Sequence, residues 1–250
     1  MKLAVTLFSL SAFVAAAPAR AEVDELGAYG ERQWGEQESE QDMAIEFRFG
    51  RYIPNVDDGL AERPYERIFG SSNRYYVGAE ADWQMLRIPF FGTLGPGFGI
   101  GFTRSSASAI IEATGARSDQ PTSLSILPMY LVGVLRADVL AQEFSVPIVP
   151  YAKLGLGYAL WWTKSGDKTP EAPSDGRKGR GRSYGPQFAL GVMLQLDWLD
   201  RDDVLSADAS IGMNHSYLFA EWYRSELDGF GGDQLDAGTD TWMVGLAAEF

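Results

Sequence analysis

The chain has 250 residues, with no cysteine, a single histidine (His215), and 34 acidic against 21 basic residues. The acidic excess argues against a nucleic-acid partner. No disulfide can hold the fold, and no stretch beyond the first residues offers the ~18 consecutive apolar positions of a membrane-crossing helix. The 28 glycines, with 14 Phe, 11 Tyr and 7 Trp, favour strands and turns over helices.

Residues 1–21 read as a signal peptide, with Lys2, an apolar core from Leu3 to Ala17, and a small-x-small site at Ala19, Arg20 and Ala21. The mature chain would then hold 19 basic and 34 acidic residues, a formal charge of −15. Residues 22–42 are acidic and aperiodic, and read as a periplasmic leader.

Period-two alternation begins at Met43 and recurs. In Met43–Tyr52, Ile45, Phe47 and Phe49 oppose Glu46 and Arg48; in Tyr76–Leu86, Val77, Ala79, Ala81 and Trp83 oppose Gly78, Glu80 and Asp82. Gly95–Thr103 sets Phe98, Ile100 and Phe102 against glycines. Ser123–Ala137 is apolar on both faces, so its frame is left open. Val149–Trp162 turns Leu154, Leu156 and Leu160 away from Lys153, and Pro186–Trp198 turns Phe188, Leu190 and Val192 away from Asp197. In Leu205–Phe219, Ile211, Met213, Tyr217 and Phe219 oppose Asp208, Asn214 and Ser216, and in Gly238–Phe250, Trp242, Val244, Leu246 and Phe250 oppose Glu249.

Eight such strands, joined alternately by long connections (53–73, 104–121, 163–182, 220–236) and shorter ones, predict an all-β fold over residues 43–250. It is an eight-stranded antiparallel up-and-down transmembrane β-barrel of the outer membrane, its loops outside and its turns in the periplasm. Bulky stripes face lipid and small or charged residues face a narrow lumen. Tyr52, Tyr75, Trp161, Trp162, Tyr217, Phe219 and Trp222 are expected in a loop-side aromatic girdle, with Phe91, Trp198 and Phe250 in a turn-side one. Trp242 and Phe250 in the closing strand form the expected signal to the outer-membrane assembly machinery. The barrel is expected to be a monomer.

Leu135–Trp162 ("LRADVLAQEFSVPIVPYAKLGLGYALWW"), with "GMNHSYLFAEWY" (212–223), "FGRYIPNVD" (49–57) and "VGAEADWQ" (77–84), resembles the myxobacterial-type outer-membrane β-barrel family. The resemblance implies fold and location, and brings no activity or catalytic residues with it.

Three features could carry chemistry. The lumen is expected to hold Glu46, Glu80, Asp82, Asp197, Asp208 and Glu249 against Arg48 and Lys153, as a structural ionic plug or, alternatively, a proton or cation path. The segment from Thr163 carries Arg177, Lys178, Arg180 and Arg182; it reads either as a solvated loop or as a site for lipopolysaccharide phosphates or another anion. His215 lies beside Ser216, but neighbours in a regular strand point to opposite faces, so no Ser–His pair forms. No metal-ligand spacing, phosphate-cradling loop or cofactor motif is present in the sequence. The expected role is non-enzymatic, in envelope structure or surface recognition; the alternatives are a narrow channel and a lipid-modifying barrel enzyme.

Overall fold

Strand β1 (Met43–Arg51) has two unlike faces: Phe47 is 64% exposed, whereas Glu46 and Arg48 beside it are buried. The strands that follow are β2 (Tyr75–Trp83), a short β3 (Leu86–Ile88), β4 (Gly92–Ile110), β5 (Arg117–Arg136), β6 (Ile148–Ser165), β7 (Arg180–Gln195), β8 (His215–Ser225) and β9 (Thr239–Glu249). The computed structural model describes residues 43–58, 60–70, 74–110, 117–144, 146–166, 169–170, 178–196, 214–232 and 234–250.

Every long strand pairs antiparallel with its successor, β2 passing to β4, and β9 returns to β1 with Ala44 opposite Glu249 and Gly50 opposite Met243. Met43 and Phe250 exchange backbone hydrogen bonds of 3.2 and 2.8 Å. Eight long strands thus close on themselves, leaving no open edge where they would meet hydrocarbon. The short β3 prolongs the line of β2, setting Leu86 against Leu94. In the turn that follows, Gly92 has φ +156°, and a Cβ there would collide with the backbone of Arg136, so this close approach requires glycine.

Polarity is inverted relative to a soluble protein. Phe98, Leu131, Leu154, Leu190, Leu218 and Leu246 are exposed on the outer wall, while Glu46, Arg48, Glu80, Arg136, Lys153 and Glu221 are buried within. A closed barrel with an apolar exterior and a charged interior is stable in lipid and not in water. The chain therefore spans the outer membrane as an eight-stranded barrel.

The strand that is apolar on both faces now has a frame. Leu124, Ile126, Tyr130, Val132, Val134 and Arg136 are buried, while Leu131 between them is exposed. Large residues can turn inward there because the neighbouring strand β4 sets Gly97 opposite Val132 and Gly99 opposite Tyr130. A Cβ on Gly99 would enter the Tyr130 ring, and one on Gly97 would press on Val132 and Val134.

Other expectations change. Strand β8 is regular from His215 to Ser225 and turns Tyr217 and Phe219 into the lumen, with Leu218 outside. Phe219 fills the space beside Gly245, where a Cβ would meet its ring, and the Tyr217 hydroxyl donates to Glu249 Oε2 at 2.8 Å. These two aromatics belong to the interior and not to a girdle. Tyr52 likewise is buried, and its hydroxyl donates to Ala237 O at 2.6 Å; Tyr75 does face outward and stacks on Phe49. Trp198, Asp197 and Asp208 lie outside the described residues.

The barrel rim is uneven. β2 pairs with β4 only as far as Thr103, but β4 and β5 remain paired to Ile110 and Arg117. Strands β6 and β7 also continue together, to Trp162 and Arg180. Strand therefore takes up 104–110 and 117–121 of the first of these expected connections, and 163–165 and 180–182 of the second. Arg180 and Arg182 sit on β7 itself, a correction to the expected basic loop: pairing with Leu160 and Trp162 extends the ladder through them. Loop-like structure is retained at residues 52–58 and 60–70, which hold helix α1 (Pro64–Phe69), and at 226–232 and 234–238. On the turn side, helix α2 (Val139–Phe144) connects β5 to β6.

Candidate functional site

Alternation on six strands directs ionisable side chains to one place in the lumen. Arg48 on β1 donates to Glu46 Oε2 (2.6 Å) and Glu221 Oε1 (2.9 Å) and pairs with Glu80 Oε2 (2.6 Å). Arg136 at the end of β5 reaches Glu46 Oε1 (2.9 Å), Asp82 Oδ2 (2.6 Å) and Glu249 Oε1 (2.7 Å). Lys153 on β6 bridges Glu46 Oε2 (2.6 Å) and Glu80 Oε1 (2.5 Å). Five carboxylates face three cations, a formal surplus of two negative charges.

Neutral donors meet part of that surplus. Tyr130 donates to Glu80 (2.6 Å), Tyr151 to Glu221 (2.9 Å), and Gln84 to Glu249 (2.8 Å). Arg48 also lies over the Tyr130 and Phe219 rings, at 5.5 and 5.8 Å from their centroids. Charges withdrawn from water persist only when paired and hydrogen-bonded on most sides, and this network provides that. These buried side chains occupy the lumen at the level of the network.

The network contains six of the eight charged lumen residues expected from the sequence: Glu46, Arg48, Glu80, Asp82, Lys153 and Glu249. Asp197 and Asp208 are not described. Two further members, Arg136 and Glu221, were missed. Arg136 follows an inward face that is otherwise apolar, and Glu221 lies past the point where the strand was expected to end. The carboxylates of Glu46, Glu80 and Asp82 converge within 4.8 Å, a spacing that could hold a metal ion. Lys153 already bridges two of them, so the protein's own ammonium supplies a cation there.

His215 pairs with Glu249 and Ser216 with Ala248 in unshifted register, which keeps the two side chains on opposite faces. His215 Nδ1 lies 3.0 Å from Gln195 Nε2.

A second site forms at the loop-side mouth. Asp57 accepts from the backbone N–H groups of Tyr65 and Glu66, both at 2.7 Å, and so starts α1. The Tyr65 hydroxyl and Ser105 Oγ lie 2.7 Å apart, tying the helix to β4. Asn55 N–H donates to Gly238 O (2.9 Å) and Thr239 Oγ1 to Ile53 O (2.8 Å), which join the first loop to the last. Ser183 Oγ donates to Leu235 O at 2.6 Å, fixing the last loop to β7. Asp236 Oδ1 accepts from Leu227 N–H (3.1 Å) and Gly238 N–H (2.8 Å), and burial pushes its carboxyl above the ordinary aspartate value. Leu227 is buried beneath.

These ties frame an open cavity of about 1050 Å³ whose lining includes Val56, Asp58, Trp161, Lys178, Arg180, Asp228, Gln234 and Asp236. Lys178 and Arg180, two of the four basic residues singled out in the sequence, line it; Arg182 is exposed on β7, and Arg177 lies outside the described residues. Trp161, expected in the lipid girdle, forms part of this cavity because its position on β6 points inward. The cavity had no sequence signature, since residues from four separate segments build it.

No protein-family model matches the sequence, and no match to a curated protein was found. Among solved structures, the chain is similar to the outer membrane protein OprG from Pseudomonas aeruginosa (11% identity over 84% of this chain and 96% of the other, TM-score 0.49). It is also similar to Ail of Yersinia pestis, determined in complex with the heparin analogue sucrose octasulfate (13% identity, 84% and 97% coverage, TM-score 0.42). A third is the N-terminal β-barrel domain of P. aeruginosa OprF (10% identity, 84% and 98% coverage, TM-score 0.37).

Proposed function

We propose that this is a non-enzymatic outer-membrane barrel of the myxobacterial type it resembles, closed to solutes and working through its outer surface. The observation that carries the reading is the pairing of buried ion pairs in the lumen with a structured mouth whose lining holds Lys178 and Arg180 beside Asp58, Asp228 and Asp236. A barrel whose interior is occupied by Arg48, Arg136 and Lys153 has its open surface at the loops. There, Lys178, Arg180 and Arg182 offer cations at the level of the lipopolysaccharide phosphates, and guanidinium groups match phosphate geometry. In the closing strand, Trp242 and Phe250 serve as the contact for the assembly machinery, and the folded barrel acts as a monomer.

The test has two arms. Purified barrel in planar bilayers should give no stepwise conductance, and immobilised lipopolysaccharide should retain the wild-type protein while releasing a Lys178→Gln/Arg180→Gln/Arg182→Gln variant at lower salt. Steady single-channel currents, or equal retention of the variant, would overturn the reading.

A further inference from the structure

We infer that the mouth cavity is a binding site for a short acidic saccharide. The inference rests on the surface-recognition reading and names the ligand class for it. The volume of about 1050 Å³ is at the upper end of the range of small-molecule sites, enough for an oligosaccharide of a few rings.

The lining has the mixture such a ligand needs. Trp161 contributes an aromatic surface suited to the C–H face of a sugar ring. Of the three carboxylates in the lining, Asp236 is engaged by backbone N–H groups, Asp58 and Asp228 can each accept from two neighbouring hydroxyls, and Lys178 and Arg180 can take an anionic substituent. Two polar atoms in this wall, Trp161 Nε1 and Gln234 Oε1, are buried with no hydrogen-bond partner among the described residues. One is a donor and the other an acceptor, and leaving either unpaired is unfavourable. Hydroxyl groups both donate and accept, so one polyhydroxylated occupant can pair both atoms once these side chains turn towards it. An apolar ligand could satisfy neither, and a simple anion only Trp161.

The assay uses the full-length mature barrel folded in detergent, with trigalacturonate as the acidic probe, maltotriose as its neutral counterpart and a mixed-sequence hexapeptide as the competitor class. Titration calorimetry should show saturable binding of trigalacturonate, at least tenfold weaker binding of maltotriose, and none of the peptide. Trp161→Phe and Asp228→Asn should each weaken trigalacturonate binding by about tenfold while leaving the gel mobility of the unboiled barrel unchanged. Absence of trigalacturonate binding, preference for the peptide, or unaltered affinity in Trp161→Phe would overturn the proposal. Lipopolysaccharide retention that survives Trp161→Phe but is lost on replacing Arg182 would overturn the cavity assignment alone and leave the surface-recognition reading in place.

Discussion

Replacing Arg48 with methionine should destabilise the barrel by about 3 kcal/mol or more, because removing one partner from a buried ion pair strands the other. The three carboxylates it contacts fare differently. Glu46 keeps Arg136 and Lys153, and Glu80 keeps Lys153 and the Tyr130 hydroxyl. Glu221 keeps the Tyr151 hydroxyl and no cation among the described residues. Methionine fills much of the vacated volume, so packing loss is minor and the penalty concentrates on the stranded Glu221 charge. A second substitution, Glu221→Gln, should then restore at least about 1 kcal/mol in the Arg48→Met background, within the coupling range of residues sharing a network. Equilibrium urea unfolding of barrels reconstituted in phospholipid vesicles, followed by tryptophan fluorescence, measures both quantities. A loss below about 1 kcal/mol for Arg48→Met, or a double variant no more stable than the single one, would refute the argument that pairing holds the plug together.

Leu154 is 70% exposed on the outer face of β6. Leu154→Arg should cost about 2–4 kcal/mol in vesicles, whereas an exposed site in a soluble protein would change by no more than about 0.5 kcal/mol; the same unfolding assay decides. Gly99→Ala should cost about 1–3 kcal/mol through overpacking against the Tyr130 ring, seen as a lower unfolding midpoint. The raised Asp236 carboxyl gives the last loop a pH dependence. Because its folded value lies above the unfolded one, the loop is favoured at low pH and loses that contribution as pH rises through the raised value. Hydrogen exchange at the Leu227 and Gly238 amides, corrected for intrinsic rates, should therefore show greater protection at pH 4 than at pH 7 in wild type, and Asp236→Asn should remove the difference.

The barrel was legible in the sequence wherever one face was bulky and the other small or charged. Phe47 beside Glu46, and Leu154 beside Lys153, state their orientation locally. Legibility failed where the interior is itself apolar. On β5, Tyr130, Val132 and Val134 fill space left by glycines on another strand, and Leu124 and Ile126 also turn inward, so the two faces look alike and Arg136 goes unnoticed. On β8, Tyr217 and Phe219 look lipid-facing until their inward partners, Glu249 and Gly245, are known, and the inverted frame hides Glu221. The basic residues were recognised as a group, but their placement on and beside a strand follows from pairing with Leu160 and Trp162, which local composition does not encode. The mouth cavity depends on contacts between distant segments.

The uneven rim has a mechanical consequence. Beyond its last partner on β2, β4 runs from Arg104 to Ile110 still paired with β5, about 23 Å of strand at the usual rise. A ribbon of that length is a stiff spacer on one side of the barrel. Whatever meets this part of the surface encounters a backbone already held by its ladder, so little ordering entropy remains to be lost on contact. It is also held at a set height above the bilayer, so a partner anchored in the same membrane would need matching reach.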